Sequence, residues 1–226
     1  NMKESVYLGI ADGREFPALY TRKGHIDLSA IYSANKNNKH YFKPDVIESG
    51  GDIGFYNETT LDWMDEPALT LLSARSEIGT MQEVGTSFAT PLVANLAARI
   101  IKQYPTISNE SVKALIINGA SLNLTPFSSD VSKLQNRVAG NGIVDGFKSL
   151  YSTENSATLI LEDKIGNGKI RVYPINFPEY LVKDDLGKKR GILKVTATLC
   201  FKFLPIKNNQ LSYNPIHMAF SIFKNH

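Results

Sequence analysis

The sequence predicts an α/β fold over residues 1–152, followed by a small antiparallel β domain over residues 153–226. Three observations support this prediction. Apolar residues recur at helical spacing after Gly85, a run typical of a buried strand lies at 5–12, and strand-like alternation replaces helical periodicity beyond the polar stretch 152–156. The chain has 226 residues, 42% of them hydrophobic, which is enough for one sizeable domain and a smaller one.

A helix is predicted to begin at the run Gly85-Thr86-Ser87. We expect Gly85 to adopt backbone angles that other residues avoid, and Thr86 to cap the helix that follows. Pro91 would lie near the first turn, where its missing N–H costs least. The predicted apolar face consists of residues at three- and four-residue steps: Phe88, Leu92, Val93, Leu96, Ile100 and Ile101.

Two more helices are predicted before residue 152. Pro105 ends the first helix, and Ser108 opens the next one as a cap, with Glu110 as an acid in its first turn. Gly119 is expected to stop this second helix. Its predicted buried stripe is Val112, Leu115 and Ile116, and a last short helix is expected around 147–151.

The last third of the chain has the pattern of strands. Segments 157–161 and 169–173 flank Gly166-Asn167-Gly168, a good hairpin turn. Residues 193–203 alternate over a long stretch, and 216–223 offer a further strand. We expect a β-sandwich, or part of one, that supports the preceding domain, contacts substrate or docks a partner.

Composition argues against several classes of partner. The net charge of +3 is too modest to imply a polyanion, and Lys188-Lys189-Arg190 has no aromatic platform beside it, so we expect a solvated loop and no nucleic-acid partner. No apolar run is long enough to span a bilayer, so no membrane partner is expected. The single cysteine, Cys200, excludes an internal disulfide and, with the lack of secretion features, favours the cytoplasm.

Ser87 is the candidate functional residue. At a helix N-terminus its hydroxyl would lie near the positive end of the helix dipole, and free backbone N–H groups there can stabilise an oxyanion on an attacked carbonyl. That geometry suits acyl transfer. Gly-Thr-Ser before an amphipathic helix is also ordinary capping chemistry, and both interpretations stay open on these three residues alone.

The longer run 85–94 resembles the segment that carries the nucleophilic serine in subtilisin-like serine proteases, the subtilases. Further segments resemble the same family in the expected order: Ser5–Asp12, Ala18–Gly24, Lys43-Pro44-Asp45 and the glycine-rich Arg137–Asp145. Many relatives have Ala-Pro-Gly where this chain has Glu48-Ser49-Gly50-Gly51. Asp45 is interpreted as a turn residue after proline, with a catalytic part as the alternative. The α/β-hydrolase elbow fits less well, because Ala89 stands at its final glycine position.

The resemblance covers about Ser5 to Tyr151 and implies the C-terminal portion of a three-layer domain with a parallel sheet. It implies Ser87 as the nucleophile of a serine endopeptidase acting on polypeptides. The family's triad runs Asp, His, Ser along the chain, and nothing upstream resembles the first two elements. Neither His25 nor His40 before the serine, nor His217 nor His226 after it, has the family's context.

We therefore expect this chain alone to be inactive, since a serine hydroxyl without a base is a weak nucleophile. Its opening almost directly on a predicted strand suggests a fragment whose partner is the missing N-terminal half of the catalytic domain. Two alternatives remain: a non-catalytic interaction module with the same fold, and one chain of a split protease. An incomplete sheet would leave bare strand edges, so self-association through them is expected.

No cofactor is predicted. Calcium stabilises many members of the family, but no segment has the spaced acidic ligands that would define a metal site. The loop around Trp63 is either a border of the substrate cleft, a cation site, or an ordinary surface loop. Substrate specificity does not follow from the sequence, because most of the pocket would come from the absent half.

Overall fold

Short strands and longer helices make up the regular structure of the chain. The computed structural model describes residues 9–10, 17–22, 24–25, 42–55, 59–75, 77–122, 138–183, 186–189, 194–203 and 218–223. The chain divides into two units, one of residues 1–96 and 120–144 and the other of residues 97–119 and 145–226. Neither unit coincides with the predicted domains 1–152 and 153–226, which stay a prediction.

The described strands all lie in the first unit. They are β1 (Gly9–Ile10), β2 (Gly24–His25), β3 (Phe42–Lys43), β4 (Gly54–Phe55), β5 (Leu61–Asp62), β6 (Leu69–Leu72) and β7 (Thr80–Glu83). They form a three-stranded sheet in the order β1-β4-β5 and two pairs, β2-β3 and β6-β7, all antiparallel. The expected large parallel sheet is not seen among the described residues.

The β6–β7 hairpin leads directly into the candidate site. Its register pairs Leu69 with Glu83 and Leu72 with Thr80. The side chains of Thr70 and Gln82 bond to each other across the pair at 2.9 Å. Only Val84 and Gly85 separate β7 from the helix that follows, so the hairpin fixes the direction in which that helix starts.

The described helices are α1 (Thr86–Gln103), α2 (Asn109–Gly119), α3 (Gly146–Leu150) and α4 (Glu179–Val182). The predicted helices after Gly85, after Ser108 and around 147–151 are confirmed. So is the buried stripe of α2, where Val112, Leu115 and Ile116 are each less than a tenth exposed. No prediction covered α4.

The apolar face of α1 differs from the prediction. Leu96 and Ile100 are buried, but Leu92 and Ile101 are 46% and 45% exposed. On a helix that turns about 100° per residue, Ile101 lies about 120° from the midpoint between Leu96 and Ile100, which explains its exposure. Leu92 lies only about 60° from that midpoint, so its spacing predicts a core position that the tertiary packing does not provide.

Pro91 also departs from expectation, since it is the sixth residue of α1 rather than part of its first turn. Proline has no N–H, so it cannot donate to the carbonyl of Ser87 one turn earlier. The first turn of α1 therefore lacks one of its usual hydrogen bonds, at the residue of functional interest.

A short junction joins three separated segments in the first unit. Ile47 and Ile143 form an isolated parallel bridge, with the Ile47 N–H bonded to the Gly142 carbonyl at 2.9 Å. Ile143 also exchanges two hydrogen bonds with Ser121, at 2.9 and 3.0 Å. The segment after Lys43-Pro44-Asp45 is thus held against the glycine-rich segment, two elements that the resemblance had singled out separately.

Gly140 is required by this junction. Its φ is +59°, and a Cβ atom there would lie 2.3 Å from the Pro44 carbonyl oxygen. The next residue, Asn141, donates both its backbone N–H and its side-chain amide to the Asp45 carbonyl, each at 2.9 Å. Any larger side chain at position 140 would separate the two segments.

The predicted strands of the last third are not strands in this structure. Within 157–161, 169–173, 194–203 and 218–223, the described residues have no ladder pairing. The hairpin turn is present, with the Lys169 N–H bonded to the Gly166 carbonyl at 3.2 Å. Asp163 ties its two arms together through Tyr173, at 2.7 Å, and Arg171, at 3.5 Å. An extended segment becomes a strand only beside a neighbour in register, and side-chain bonds hold these arms instead.

In the second unit, Glu162 caps the start of α2. Its carboxylate accepts from the Ser108 hydroxyl at 2.7 Å and from the Ser108 N–H at 3.0 Å. Hydrogen bonds from the Ser111 and Ser108 side chains, and then from the Ser108 N–H, lower the pKa of Glu162. The predicted capping role of Ser108 is confirmed, since its hydroxyl accepts from the Ser111 N–H at 3.2 Å.

No helix in the described ranges is long and apolar enough to cross a bilayer.

Candidate functional site

Ser87 is the second residue of α1, and its side chain is exposed. The predicted position at a helix N-terminus is therefore confirmed. The first four N–H groups of a helix have no acceptor one turn back, and the Ser87 N–H is one of these. The prediction that Thr86 caps the helix is wrong, because Thr86 is the first helical residue. Its carbonyl accepts from the Thr90 hydroxyl at 3.2 Å.

A loop from another part of the chain supports the turn before Ser87. The Gly85 N–H donates to the Gly50 carbonyl at 2.7 Å, and the Phe88 N–H donates to the Gly85 carbonyl at 3.0 Å. Gly50 is buried, and a Cβ atom on it would lie 2.7 Å from the Gly85 carbonyl oxygen. The two backbones approach so closely that only glycine fits at position 50.

The expectation that Gly85 needs unusual backbone angles is wrong. The glycine with positive φ beside this turn is Gly51, at +76°. A Cβ atom on Gly51 would lie 2.8 Å from Cγ1 of Val84, whereas one on Gly85 would make ordinary contact with the Phe88 ring at 3.5 Å. The backbone conformation that favours glycine is thus in the supporting loop and not at Gly85 in the turn before Ser87.

Tyr20 completes the support, a role that no local sequence pattern indicates. Its hydroxyl donates to the Gly50 carbonyl at 3.0 Å and also bonds to the Gly51 carbonyl. Burial, and then the charge of Asp52, raise the pKa of Tyr20, while a hydrogen bond from the Gly85 backbone acts in the opposite direction. These partners are 30 or more residues away along the chain, so no local pattern could indicate the contact.

Among the described residues, no hydrogen bond or ion pair reaches the Ser87 side chain. Of the four histidines, the structure describes only the backbone of His25, which lies in β2 opposite Phe42. His40, His217 and His226 fall outside the described residues. In the part of the chain that is described, the serine is accessible and has no base beside it.

Asp45 has the contacts of a turn residue. Its carboxylate pairs with the Lys43 ammonium at 2.5 Å, and its carbonyl accepts both donors of Asn141. Trp63 is 62% exposed. No group of three or more histidine, cysteine or acidic side chains that could hold a metal occurs in the ranges that the structure describes.

The described fold and site define an α/β protein with an accessible serine at the start of a helix. The model of the subtilase family matches residues 23–168, well over half of the chain and a range that includes Ser87. The chain therefore belongs to the subtilase family, as the serine segment had indicated. The match begins later and ends later than the resemblance at 5–151.

A curated relative is the uncharacterized protein y4bN of Sinorhizobium fredii. It is 24% identical over an alignment of 194 residues, and the alignment covers 80% of this chain and 43% of the relative. The chain thus spans less than half the length of the curated relative it matches.

Proposed function

We propose that this chain is the C-terminal part of a serine endopeptidase that hydrolyses peptide bonds through an acyl-enzyme on Ser87. The observation that carries the proposal is the exposed hydroxyl at the second residue of α1 in a chain of the subtilase family. A nucleophile must be reachable by a substrate carbonyl, and the helix terminus supplies donors for the charge that develops there.

In this proposal the Ser87 oxygen attacks the carbonyl carbon of the scissile bond. A histidine of the missing N-terminal half accepts the hydroxyl proton and gives it to the leaving amine, and an aspartate of the same half orients that histidine. The Ser87 N–H donates to the oxyanion. Water then attacks the acyl carbonyl while the histidine accepts its proton, and the histidine returns that proton to the Ser87 oxygen as the acyl group leaves.

The full catalytic domain would be a three-layer structure around a parallel sheet, completed by an N-terminal half. Residues 153–226 would form a small β-rich domain once further strands pair with the segments that lack partners here. The exposed apolar side chains of this part, Ile170 and Val172 among them, support the need for such partners. The substrate would be a polypeptide.

Without that half, the chain is expected to be inactive. A serine hydroxyl near neutral pH needs a neighbouring base to become an effective nucleophile. In the described part of the chain, no base contacts Ser87.

A fluorophosphonate probe, which reacts with activated serines, tests the proposal. We expect it to label, at Ser87, the longer protein that also contains the proposed N-terminal half. The 226-residue chain should stay unlabelled. The Ser87→Ala variant of the longer protein should lose labelling and casein cleavage, whereas Ser156→Ala, at another exposed serine, should keep both.

Two other outcomes would favour the alternatives. A longer protein that folds but never reacts would indicate a non-catalytic interaction module. Labelling of the 226-residue chain only after a separate chain is added would indicate a split protease.

A further inference from the structure

We propose that Tyr20 is a positioning residue for Ser87: its hydroxyl holds the Gly50-Gly51 loop against Gly85 and so fixes the turn that carries the serine. The inference deepens the proposed function of the same site and rests on it. Neither the family match nor the relative assigns a role to this tyrosine.

The Tyr20 side chain contacts the Gly50-Gly51 loop directly. The Tyr20 hydroxyl donates to the Gly50 carbonyl at 3.0 Å and shares its proton with the Gly51 carbonyl. Tyr20 is partly buried, and its own backbone is held in a turn by the bond from the Thr21 N–H to the Ala18 carbonyl at 2.8 Å. The hydroxyl is therefore a fixed point rather than a mobile side-chain tip.

The loop is bonded in turn to the segment that carries the serine. The same Gly50 carbonyl that accepts from Tyr20 also accepts from the Gly85 N–H, at 2.7 Å. The Gly85 carbonyl in turn accepts from the Phe88 N–H, at 3.0 Å, and this bond closes the turn around Ser87. Three hydrogen bonds thus connect the phenol to the turn that contains the serine.

Close packing leaves little freedom in this chain of contacts. A Cβ atom on Gly50 would lie 3.3 Å from the Tyr20 hydroxyl and 2.7 Å from the Gly85 carbonyl oxygen. Loss of the hydroxyl would leave two carbonyls in a partly buried place without this donor, which favours a shift of the loop toward other donors. Gly85 is bonded to that loop and would move with it.

The state of the phenol fits the role. Only a neutral hydroxyl can donate to a carbonyl, and a phenolate would repel both carbonyl oxygens. Burial and the nearby Asp52 raise the pKa of Tyr20, so the donor form persists through neutral pH and above it.

Tyr20→Phe in the longer protein tests the inference. Because small displacements of reacting groups cost up to about 100-fold in rate, we expect kcat for peptide hydrolysis to fall about 10- to 100-fold with KM little changed. The rate of fluorophosphonate labelling at Ser87 should fall in parallel. Tyr104→Phe is the matched control, because it removes a part-buried tyrosine hydroxyl bonded to a backbone carbonyl, that of Leu150, at 2.8 Å.

A general loss of stability would affect both variants alike, so equal kinetics for Tyr20→Phe and Tyr104→Phe would refute the positioning role. A second measurement keeps the test independent of folding. Replacement of Tyr20 by 3-fluorotyrosine retains the ring and the hydroxyl but makes the phenol more acidic. Because this variant keeps the donor at neutral pH, it should retain the wild-type kcat and labelling rate there, and a loss as large as that of Tyr20→Phe would overturn the inference.

The two proposals fail in different ways. If the wild-type longer protein is not labelled at Ser87, the proposed function is wrong and the inference falls with it. If it is labelled, but Tyr20→Phe is labelled as fast as wild type, the inference alone is wrong.

Discussion

Ser87 depends on residues that lie far from it in the sequence. The turn before it is bonded to Gly50, and that glycine is held by the Tyr20 hydroxyl. A serine at a helix N-terminus is common, but a serine whose turn is bonded to a buried glycine that also accepts from a phenol is a more specific arrangement. At the scale of single residues, the geometry of the site therefore depends on Gly50 and Tyr20 as well as on Ser87 itself.

Gly51→Ala should destabilise the 226-residue chain. A side chain at φ +76° is strained, and the added Cβ would lie 2.8 Å from Cγ1 of Val84. We expect the free energy of unfolding to fall by about 1–3 kcal/mol, measured by urea denaturation. Gly85→Ala is the control, since the space beside Gly85 accepts a methyl group, and its effect should be small. A larger loss for Gly85→Ala than for Gly51→Ala would contradict this account of the turn.

At the scale of elements, the starts of α1, α2 and α3 are supported in different ways. The turn that begins α1 is bonded to the Gly50 loop, α2 has a cap from its own Ser108 and another from Glu162, and Asp145 caps α3. The Ser108 cap adjoins its own helix and was predicted from the sequence. The partners that come from a different segment, the Gly50 loop and Glu162, were not.

Asp145→Ala should weaken α3. The Asp145 carboxylate accepts from the N–H groups of Phe147 and Lys148, both at 3.0 Å. Removal of such a cap costs about 0.5–2 kcal/mol, which urea denaturation at neutral pH would measure. Asp145→Asn should retain most of the stability, because its side-chain oxygen can accept the same bonds. If the Asn variant lost as much as the Ala variant, charge rather than capping would be the cause.

The same residue predicts a dependence on pH. The backbone hydrogen bond from Lys148 is the largest cause that lowers the pKa of Asp145 in the folded chain. A lowered pKa means that the stabilisation is complete above the unfolded value, about 3.9, and is lost as the pH falls through the folded value. The difference in stability between wild type and Asp145→Asn should therefore decline in that acidic range.

At the scale of the whole molecule, unpaired strand edges are the main consequence of the sheets seen here. Among the described residues, β2-β3 and β6-β7 are pairs of two strands, so no third described strand covers their outer edges. Leu72, in β6, is also 87% exposed. An apolar edge of this kind favours pairing with another chain.

We therefore expect the average mass of the 226-residue chain, measured by light scattering, to rise with concentration. Leu72→Lys should reduce this association, because a lysine on an edge strand opposes pairing. Ile170→Lys, at an equally exposed residue outside any strand, should reduce it less. A monomer at high concentration, or an equal effect of both lysines, would exclude association through the edge of β6.

Much of the helical structure was predictable because its signals are local. The cap at Ser108, the stop at Gly119 and the stripe of α2 all depend on neighbours within one or two turns. The apolar face of α1 was only partly predictable, since Leu92 and Ile101 share its three- and four-residue spacing but are exposed. Strands at 157–161 and 169–173 were predicted and are absent, because alternation does not supply a pairing partner.

The sequence by itself determined the family, the helix on which Ser87 lies and the position of that serine in its first turn. Only the tertiary structure decided what holds the turn: the carbonyl of Gly50, the positive φ of Gly51 and the hydroxyl of Tyr20. The physical reason is the range of the interactions. Capping and periodicity act within a few residues, whereas these contacts join segments 30 or more residues apart and exist only when the chain brings them together.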